Sequence, residues 1–297
     1  MKILFAFSVL ALSATAAPPS IKLWPEGVPG IKANASPEKI TDGRITNIHD
    51  PSLLVFKPEN PCGTAIIFCS GGGYTRISAN PNGDTSTRLL NKLGLTVFVL
   101  KYRLSDYGHP APLQDVMRAV RLVRSRAGDF GVAADRIGVM GVSAGAHLSA
   151  CAATLWESAD GKTGAALDAV SGRPDFAVLV YPVISMSAPF THIGSRNALL
   201  GNNPSPALCD ALSVEKHVRR DGPRTFVAAT MADTVVPVQN SLAFYQSLVA
   251  AGVPAGLHLY PQGSHANCYD PQYGPTADWP LRMEEWLRFN GLLDNKR

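Results

Sequence analysis

The sequence predicts an α/β domain built on a mostly parallel central sheet flanked by helices, and three observations carry that expectation. From Leu53 to the C-terminus, apolar and β-branched runs of strand length alternate with stretches of helical periodicity, the rhythm of strands joined by crossover helices. Most of these runs are apolar throughout and do not alternate, as expected of strands covered on both faces. The 297 residues, 46% hydrophobic and 17% charged, are enough to bury one sizeable core.

In chain order, residues 1–17 (MKILFAFSVLALSATAA) combine a positive start at Lys2, an apolar stretch to about Leu12 and small residues around Ala16 and Ala17. They read as a cleavable signal peptide, since the apolar run is shorter than the ~20 residues a membrane span needs. No later segment is long enough either, so no membrane association is expected after cleavage. Residues 18–297 are expected to form a single domain, exported to the periplasm or the medium. The formal net charge is +4, one unit of it at Lys2, and the charges are scattered. That pattern argues against nucleic acid as a partner. Five cysteines, Cys62, Cys69, Cys151, Cys209 and Cys268, lack metal-ligand spacing, and export would let some of them pair.

After a Pro- and Gly-rich lead-in (LWPEGVPGIKANASPE), seven strands are expected: SLLVF, TAIIFC, TVFVLKY, RIGVMG, FAVLVY, TFVAAT and GLHLY. The segment PLQDVMRAVRLVRSRA sets Leu113, Val116, Val120 and Val123 at helical spacing, with arginines on the other face, solvated or paired. VQNSLAFYQSLVAAG is expected to pack Leu242, Tyr245 and Val249 on one side. It should stop at Gly252, a residue type that tolerates the left-handed stop conformation. LRMEEWLRFNGLL closes the domain. The stretch from Ile184 to Asp221 breaks the rhythm, with prolines at Pro189, Pro204 and Pro206. It is expected to be a short cap insertion over the C-terminal edge of the sheet.

Between the fourth strand and a helical segment lies GVSAGAH, in which Gly141, Ser143 and Gly145 fit the G-x-S-x-G pattern of a sharp strand-to-helix turn. A serine hydroxyl is a weak nucleophile, so attack needs a base, an acid that orients the base, and donors for the developing oxyanion. The alternative is a small residue in a tight turn. His265 follows the last strand on a loop and is the expected base. His258 lies inside that strand, and His49, His109, His147, His192 and His217 precede the serine or fall in the helix or the cap. Asp233 follows the strand before the last and is the expected acid, in the chain order Ser, Asp, His. Its alternative role is to cap the helix that begins near Pro237; Asp210, Asp221 and Asp270 are weaker candidates for the acid. The expected oxyanion donors are the N–H of Ala144, at the start of the helix, and an N–H from Gly72, Gly73 or Tyr74. These three lie in the loop SGGGY, which begins at Ser70. The P-loop spacing a phosphate cradle would need is absent. Tyr74, Tyr107, Tyr181, Tyr269, Tyr273 and Trp279 are candidates for stacking on a sugar ring, with a structural role as the alternative for each.

Together SGGGY, VLKYRL, HPAPLQDVMRAVRLVRSRA, DRIGVMGVSAGAHLSA, ADTVVP and GSHANC resemble the α/β-hydrolase esterases known as acetyl xylan and feruloyl esterases, over residues 51–293. The resemblance implies a secreted serine carboxylesterase acting on acylated plant cell-wall carbohydrate such as xylan, through an acyl-enzyme and with no metal or organic cofactor. Acetyl and feruloyl groups both stay open. A peptidase or lipase on the same fold, or a binding module without chemistry, are the other readings. Carried over by motif, the nucleophile falls on Ser143, the acid on Asp233, the base on His265 and the oxyanion loop on Gly71 to Tyr74. The chain departs from the family at Ser70, where His or Pro is frequent, and after His265, where Ala266, Asn267 and Cys268 stand in place of a usual glycine. Cys268 is thereby offered to Cys209 as a disulfide partner, with Cys62 and Cys69 as the rival pair.

Overall fold

The computed structural model describes residues 18–78, 84–266 and 269–293. The signal peptide expected at residues 1–17, and Cys268, lie outside the described residues. In chain order the strands are β1 (Ser20–Lys22), β2 (Lys39–Thr41), β3 (Arg44–Thr46), β4 (Ser52–Phe56), β5 (Ala65–Cys69), β6 (Ile77–Ser78), β7 (Thr96–Lys101), β8 (Ile137–Val142), β9 (Phe176–Val180), β10 (Arg224–Thr230) and β11 (Ala255–Tyr260). The helices are α1 (Thr85–Lys92), α2 (Ala111–Ser125), α3 (Ala127–Phe130), α4 (Ala144–Thr154), α5 (Ile193–Leu200), α6 (Pro206–Ala211), α7 (Gln239–Ala251) and α8 (Trp279–Phe289).

Eight strands form the main sheet in the order β1-β4-β7-β5-β8-β9-β10-β11, and β2-β3-β6 form a small separate one. In the main sheet β1 and β4 run antiparallel to their neighbours, and β7 to β11 pair in parallel. The seven strands expected from the sequence are β4, β5 and β7 to β11. Their apolar continuity has a direct cause. On β5, Ala65, Ile67 and Cys69 enter a core shared with α2, α4 and α7, whereas Ile66 and Phe68 enter a second core shared with α1 and α8. Alternate residues thus meet two different helix layers, so neither face calls for polar side chains.

From β5 the chain crosses to β7 on one side and then to β8 on the other. The C-terminal ends of β5 and β8 lie side by side, Cys69 opposite Gly141. Loops leave these two strands in opposite senses and open a crevice, the place where α/β sheets bind ligands.

Three expectations are corrected or refined. The inner face of α7 is Asn240, Ser241, Phe244 and Leu248, while Val249 is 58% exposed and Leu242 and Tyr245 only half-buried. The helix is rotated because Asn240 serves the loop after β9, its Oδ1 accepting from the N–H groups of Ile184 and Ser185. The α2 arginines Arg118 and Arg121 are buried and paired, with Glu26 and Asp168. Cys62, Cys69, Cys151 and Cys209 are buried free thiols, so neither of the two expected bridges forms. Cys62 and Cys69 belong to the two different cores, on opposite faces of the sheet.

Gly252 ends α7 in the left-handed conformation, φ 70°. Residues 184–221 hold α5, α6 and a short 3-10 turn, Val214–His217, that packs on α4 and α7. Pro206 begins α6, where its missing N–H costs nothing, and the Ser205 side chain accepts from the Leu208 N–H. Among the described residues no helix is long and apolar enough to cross a membrane.

Candidate active site

Ser143 occupies the single residue between β8 and α4, at φ 56° and ψ −126°. This is a backbone conformation that a non-glycine residue holds only when its surroundings enforce it. Here they do. The Ser143 N–H donates to the Val180 carbonyl at 3.1 Å, and the Ser143 carbonyl accepts from Ala146, His147 and Val183. The flanking glycines are required by crowding. A Cβ on Gly141 would fall 2.2 Å from the Gly145 carbonyl oxygen, and one on Gly145 would fall 2.1 Å from that of Cys69. The pattern G-x-S-x-G therefore records how closely β8, α4 and β5 approach one another.

His265 and Asp233 come from the loops after β11 and β10, and the structure brings both to the serine. His265 Nε2 lies 2.8 Å from Ser143 Oγ, and its Nδ1 lies 2.7 Å from Asp233 Oδ2. In the neutral ring, an Nδ1–H donating to the carboxylate leaves Nε2 to accept from the serine hydroxyl. Asp233 Oδ1 accepts from the N–H groups of Val235 and Val236 at 2.8 and 2.9 Å. Burial raises the Asp233 carboxyl, but the His265 hydrogen bond and the two amides outweigh it and hold the group below its ordinary range. One carboxylate oxygen thus orders a turn and the other orients the imidazole. The α7 N-terminus has no side-chain cap, so Asp233 does not act there. Asp210 and Asp221 pair with Lys216 and Arg219, and Asp270 accepts from the Gln272 N–H.

The glycine loop runs beside the serine. A Cβ on Gly71 would touch Ser143 Cβ at 3.1 Å. Gly72, Gly73 and Tyr74 follow with φ of 140°, 65° and 61°. Ala144 is the first residue of α4, so its N–H has no acceptor within the helix and sits at the positive end of the helix dipole. The Tyr74 side chain points away into the core. Its hydroxyl meets His147 Nδ1 at 2.7 Å, and His147 Nε2 meets the Leu212 carbonyl at 2.8 Å. The local packing role expected of His147 is what the structure has. His258 lies on β11 and stacks on Phe226 at 4.8 Å.

Ser143 and His265 open onto a cavity of about 600 Å³. Of the stacking candidates, Tyr181 and Tyr269 line it, and Tyr181 also meets the His265 ring edge-on at 4.8 Å. Tyr74 and Trp279 are buried. Sequence reasoning missed three cavity side chains: His192 from the 184–221 segment, Arg76 from the end of the glycine loop and Arg44 from β3. The His192 ring is shifted down, first by burial and then by the nearby His265, against the opposing charge of Asp233. Ala266, which follows His265, has φ 67°. Among the described residues no group of three His, Cys, Asp or Glu side chains is arranged to hold a metal.

A mostly parallel sheet with a strand–serine–helix turn at its crevice, served by loops after the last two strands, defines an α/β-hydrolase. The chain belongs to the BD-FAE family, whose profile matches residues 54–248. It is 34% identical over 217 residues to an acetylxylan esterase of Xylanibacter ruminicola, covering 72% of this chain and 43% of that protein. It is also 34% identical over 199 residues to the endo-1,4-beta-xylanase B of Butyrivibrio fibrisolvens, covering 66% of this chain and 31% of that one. The chain thus spans less than half the length of either relative. A solved structure of an acetyl ester-xyloside bifunctional hydrolase from Caldicellulosiruptor lactoaceticus matches with a TM-score of 0.82 at 36% identity, over 95% of this chain and all of that one. The resemblance to acetyl xylan esterases read from the motifs is borne out.

Proposed function

We propose that the protein is an exported serine carboxylesterase that removes short acyl groups, acetyl foremost, from plant cell-wall carbohydrate such as xylan. The observation that carries the reading is the hydrogen-bonded path from Ser143 through His265 to Asp233, beside a cavity that can take an ester. Likeness to an acetylxylan esterase and to an acetyl ester-xyloside hydrolase supports the substrate class. The composition of residues 1–17 supports export.

In this reading Ser143 Oγ attacks the ester carbonyl carbon as His265 Nε2 takes the hydroxyl proton. Asp233 holds the ring in the required tautomer and offsets the charge that forms on it. The carbonyl oxygen, now negative, is met by the Ala144 N–H and by one N–H of the Gly72–Tyr74 loop. The tetrahedral species collapses, the C–O bond to the sugar breaks, and His265 returns the proton to the leaving alkoxide. Water, deprotonated by His265, then attacks the acyl carbon, the bond to Ser143 Oγ breaks, His265 returns the proton to Oγ, and the acid leaves.

The test is a fluorophosphonate probe combined with acid release from acetylated xylan, feruloylated arabinoxylan and p-nitrophenyl acetate. Labelling at Ser143 and acetate release from xylan are expected. An unlabelled serine would remove the mechanism, and ferulate release without acetate release would shift the acyl group to the aromatic alternative.

A further inference from the structure

The cavity beside Ser143 carries more positive charge than ester hydrolysis calls for. Arg44, on β3, and Arg76, at the end of the glycine loop, both line it and both are exposed. Their positions are fixed by the backbone. Arg44 stands opposite Ser78 in the β3–β6 ladder. The N–H of Arg76 donates to the Gly72 carbonyl, in a turn so tight that a Cβ on Gly72 would fall 2.1 Å from the Arg76 oxygen. Arg76 is thus tied to the loop that flanks the reacting serine, and the small sheet brings Arg44 to the same wall.

Eight other arginines are engaged in ion pairs. Among the described residues, neither Arg44 nor Arg76 has a carboxylate partner. The acidic side chain on the cavity wall is Asp84, which accepts from the Thr87 N–H as the N-cap of α1. Asp233 is turned to His265 and its own turn. Two guanidinium groups against one committed carboxylate leave the wall with net positive charge and with planar donor forks suited to a carboxylate.

We propose that Arg44 and Arg76 form a subsite for a carboxylate carried by the ester substrate. The inference rests on the esterase reading above and deepens it. The preferred substrate is an ester with an acid group within reach of the cavity wall. That acid is either a uronic acid on the acylated carbohydrate or the free end of a dicarboxylic acyl group. Screened, exposed pairs are individually weak, so the subsite acts on selectivity and its effect falls with ionic strength.

The experiment compares two matched substrate pairs on the purified full chain and on the R44Q/R76Q double variant. One pair is an acetylated xylo-oligosaccharide with and without a glucuronic acid substituent. The other is p-nitrophenyl hemisuccinate against p-nitrophenyl butyrate. For wild type at low salt, kcat/KM is expected to favour the acid-bearing member of at least one pair by roughly tenfold. The pair that responds identifies the source of the carboxylate. The ratio should approach one in the double variant and shrink severalfold in 0.5 M NaCl. Because each readout is a ratio within one preparation, partial misfolding of the variant does not affect it. Equal rates within both pairs, or a preference that survives the double substitution, overturn the subsite while neutral turnover leaves the esterase standing. No turnover of any neutral ester by wild type sinks the esterase reading and the subsite with it.

Discussion

His265 and His147 both meet the turn at Ser143, one at its Oγ and the other through its own N–H to the Ser143 carbonyl, and each is hydrogen-bonded through both ring nitrogens. Their partners differ in kind. His265 has a carboxylate on Nδ1 and a hydroxyl on Nε2, and it borders the cavity. His147 has a phenol on Nδ1 and a carbonyl on Nε2, and no part of it reaches solvent. Burial pushes the His147 ring down to about 4, despite the Leu212 carbonyl, with His109 adding to the fall. A proton added to His147 would displace the Tyr74 hydroxyl proton from its acceptor. A neutral phenol and a carbonyl therefore make His147 a buried strut, while a carboxylate on Nδ1 turns the His265 ring to the Ser143 hydroxyl.

The first way to break this contrast is to remove the hydroxyl that His265 meets. Ser143→Ala is expected to lower kcat/KM on p-nitrophenyl acetate by roughly 10⁴-fold or more, leaving what binding and the oxyanion donors supply. An unchanged rate would make Ser143 a turn residue. Next comes the carboxylate itself. Asp233→Asn keeps an acceptor for the Val235 and Val236 amides but removes the charge and disturbs the His265 tautomer. A loss of about 10²- to 10⁴-fold is expected, with an unaltered circular dichroism spectrum. A rate near wild type would mean that His265 needs its carboxylate no more than His147 does.

How much of this was legible in the sequence follows from what each feature depends on. Strands β4, β5 and β7 to β11 were legible because burial on both faces leaves continuous apolar runs. The short β1, β2, β3 and β6 have two or three residues each, several of them exposed, and such lengths carry no period to read. Ser143, Asp233 and His265 were legible because local sequence forces the turn and chain order fixes the loops. Arg44, Arg76 and His192 were not, since their meeting at one cavity depends on how a remote small sheet and the 184–221 segment settle on the main one. The face of α7 was misassigned for a related reason: Asn240, polar in sequence, turns inward to serve two buried amides that only tertiary structure creates.

A smaller effect should expose the strut by pH. In the unfolded chain His147 titrates near its ordinary 6.5, while in the folded protein it stays neutral until about 4. Between these values the unfolded state binds the extra proton. Stability from this group is therefore complete above pH 6.5 and is lost as pH falls toward 4, by on the order of 3 kcal/mol. Asp233, with its lowered carboxyl, loses its contribution in a more acidic range. His147→Gln keeps a donor and an acceptor without the titration. Its Tm should vary less between pH 6.5 and 4 than that of wild type, and kcat/KM should fall about tenfold through the loosened Tyr74. Parallel Tm profiles would show that folded His147 takes up the proton.

The backbone beside each histidine gives the finest comparison. Ala266, next to His265, is held at φ 67°, where an L-residue pays roughly 1–2 kcal/mol that glycine avoids. Ala146, next to His147, is buried in the first turn of α4, where glycine costs up to about 1 kcal/mol. The same substitution should therefore act in opposite directions. Ala266→Gly relieves strain but adds freedom to the unfolded chain, for a net gain of a few tenths to about 1 kcal/mol and a rise in Tm of about 1–3 °C. Ala146→Gly should lower Tm by at least as much. Calorimetry on the two variants decides it. If Ala266→Gly also lowered Tm, the loop that carries His265 would be using the alanine methyl for packing, and its left-handed residue would not be a site of stored strain.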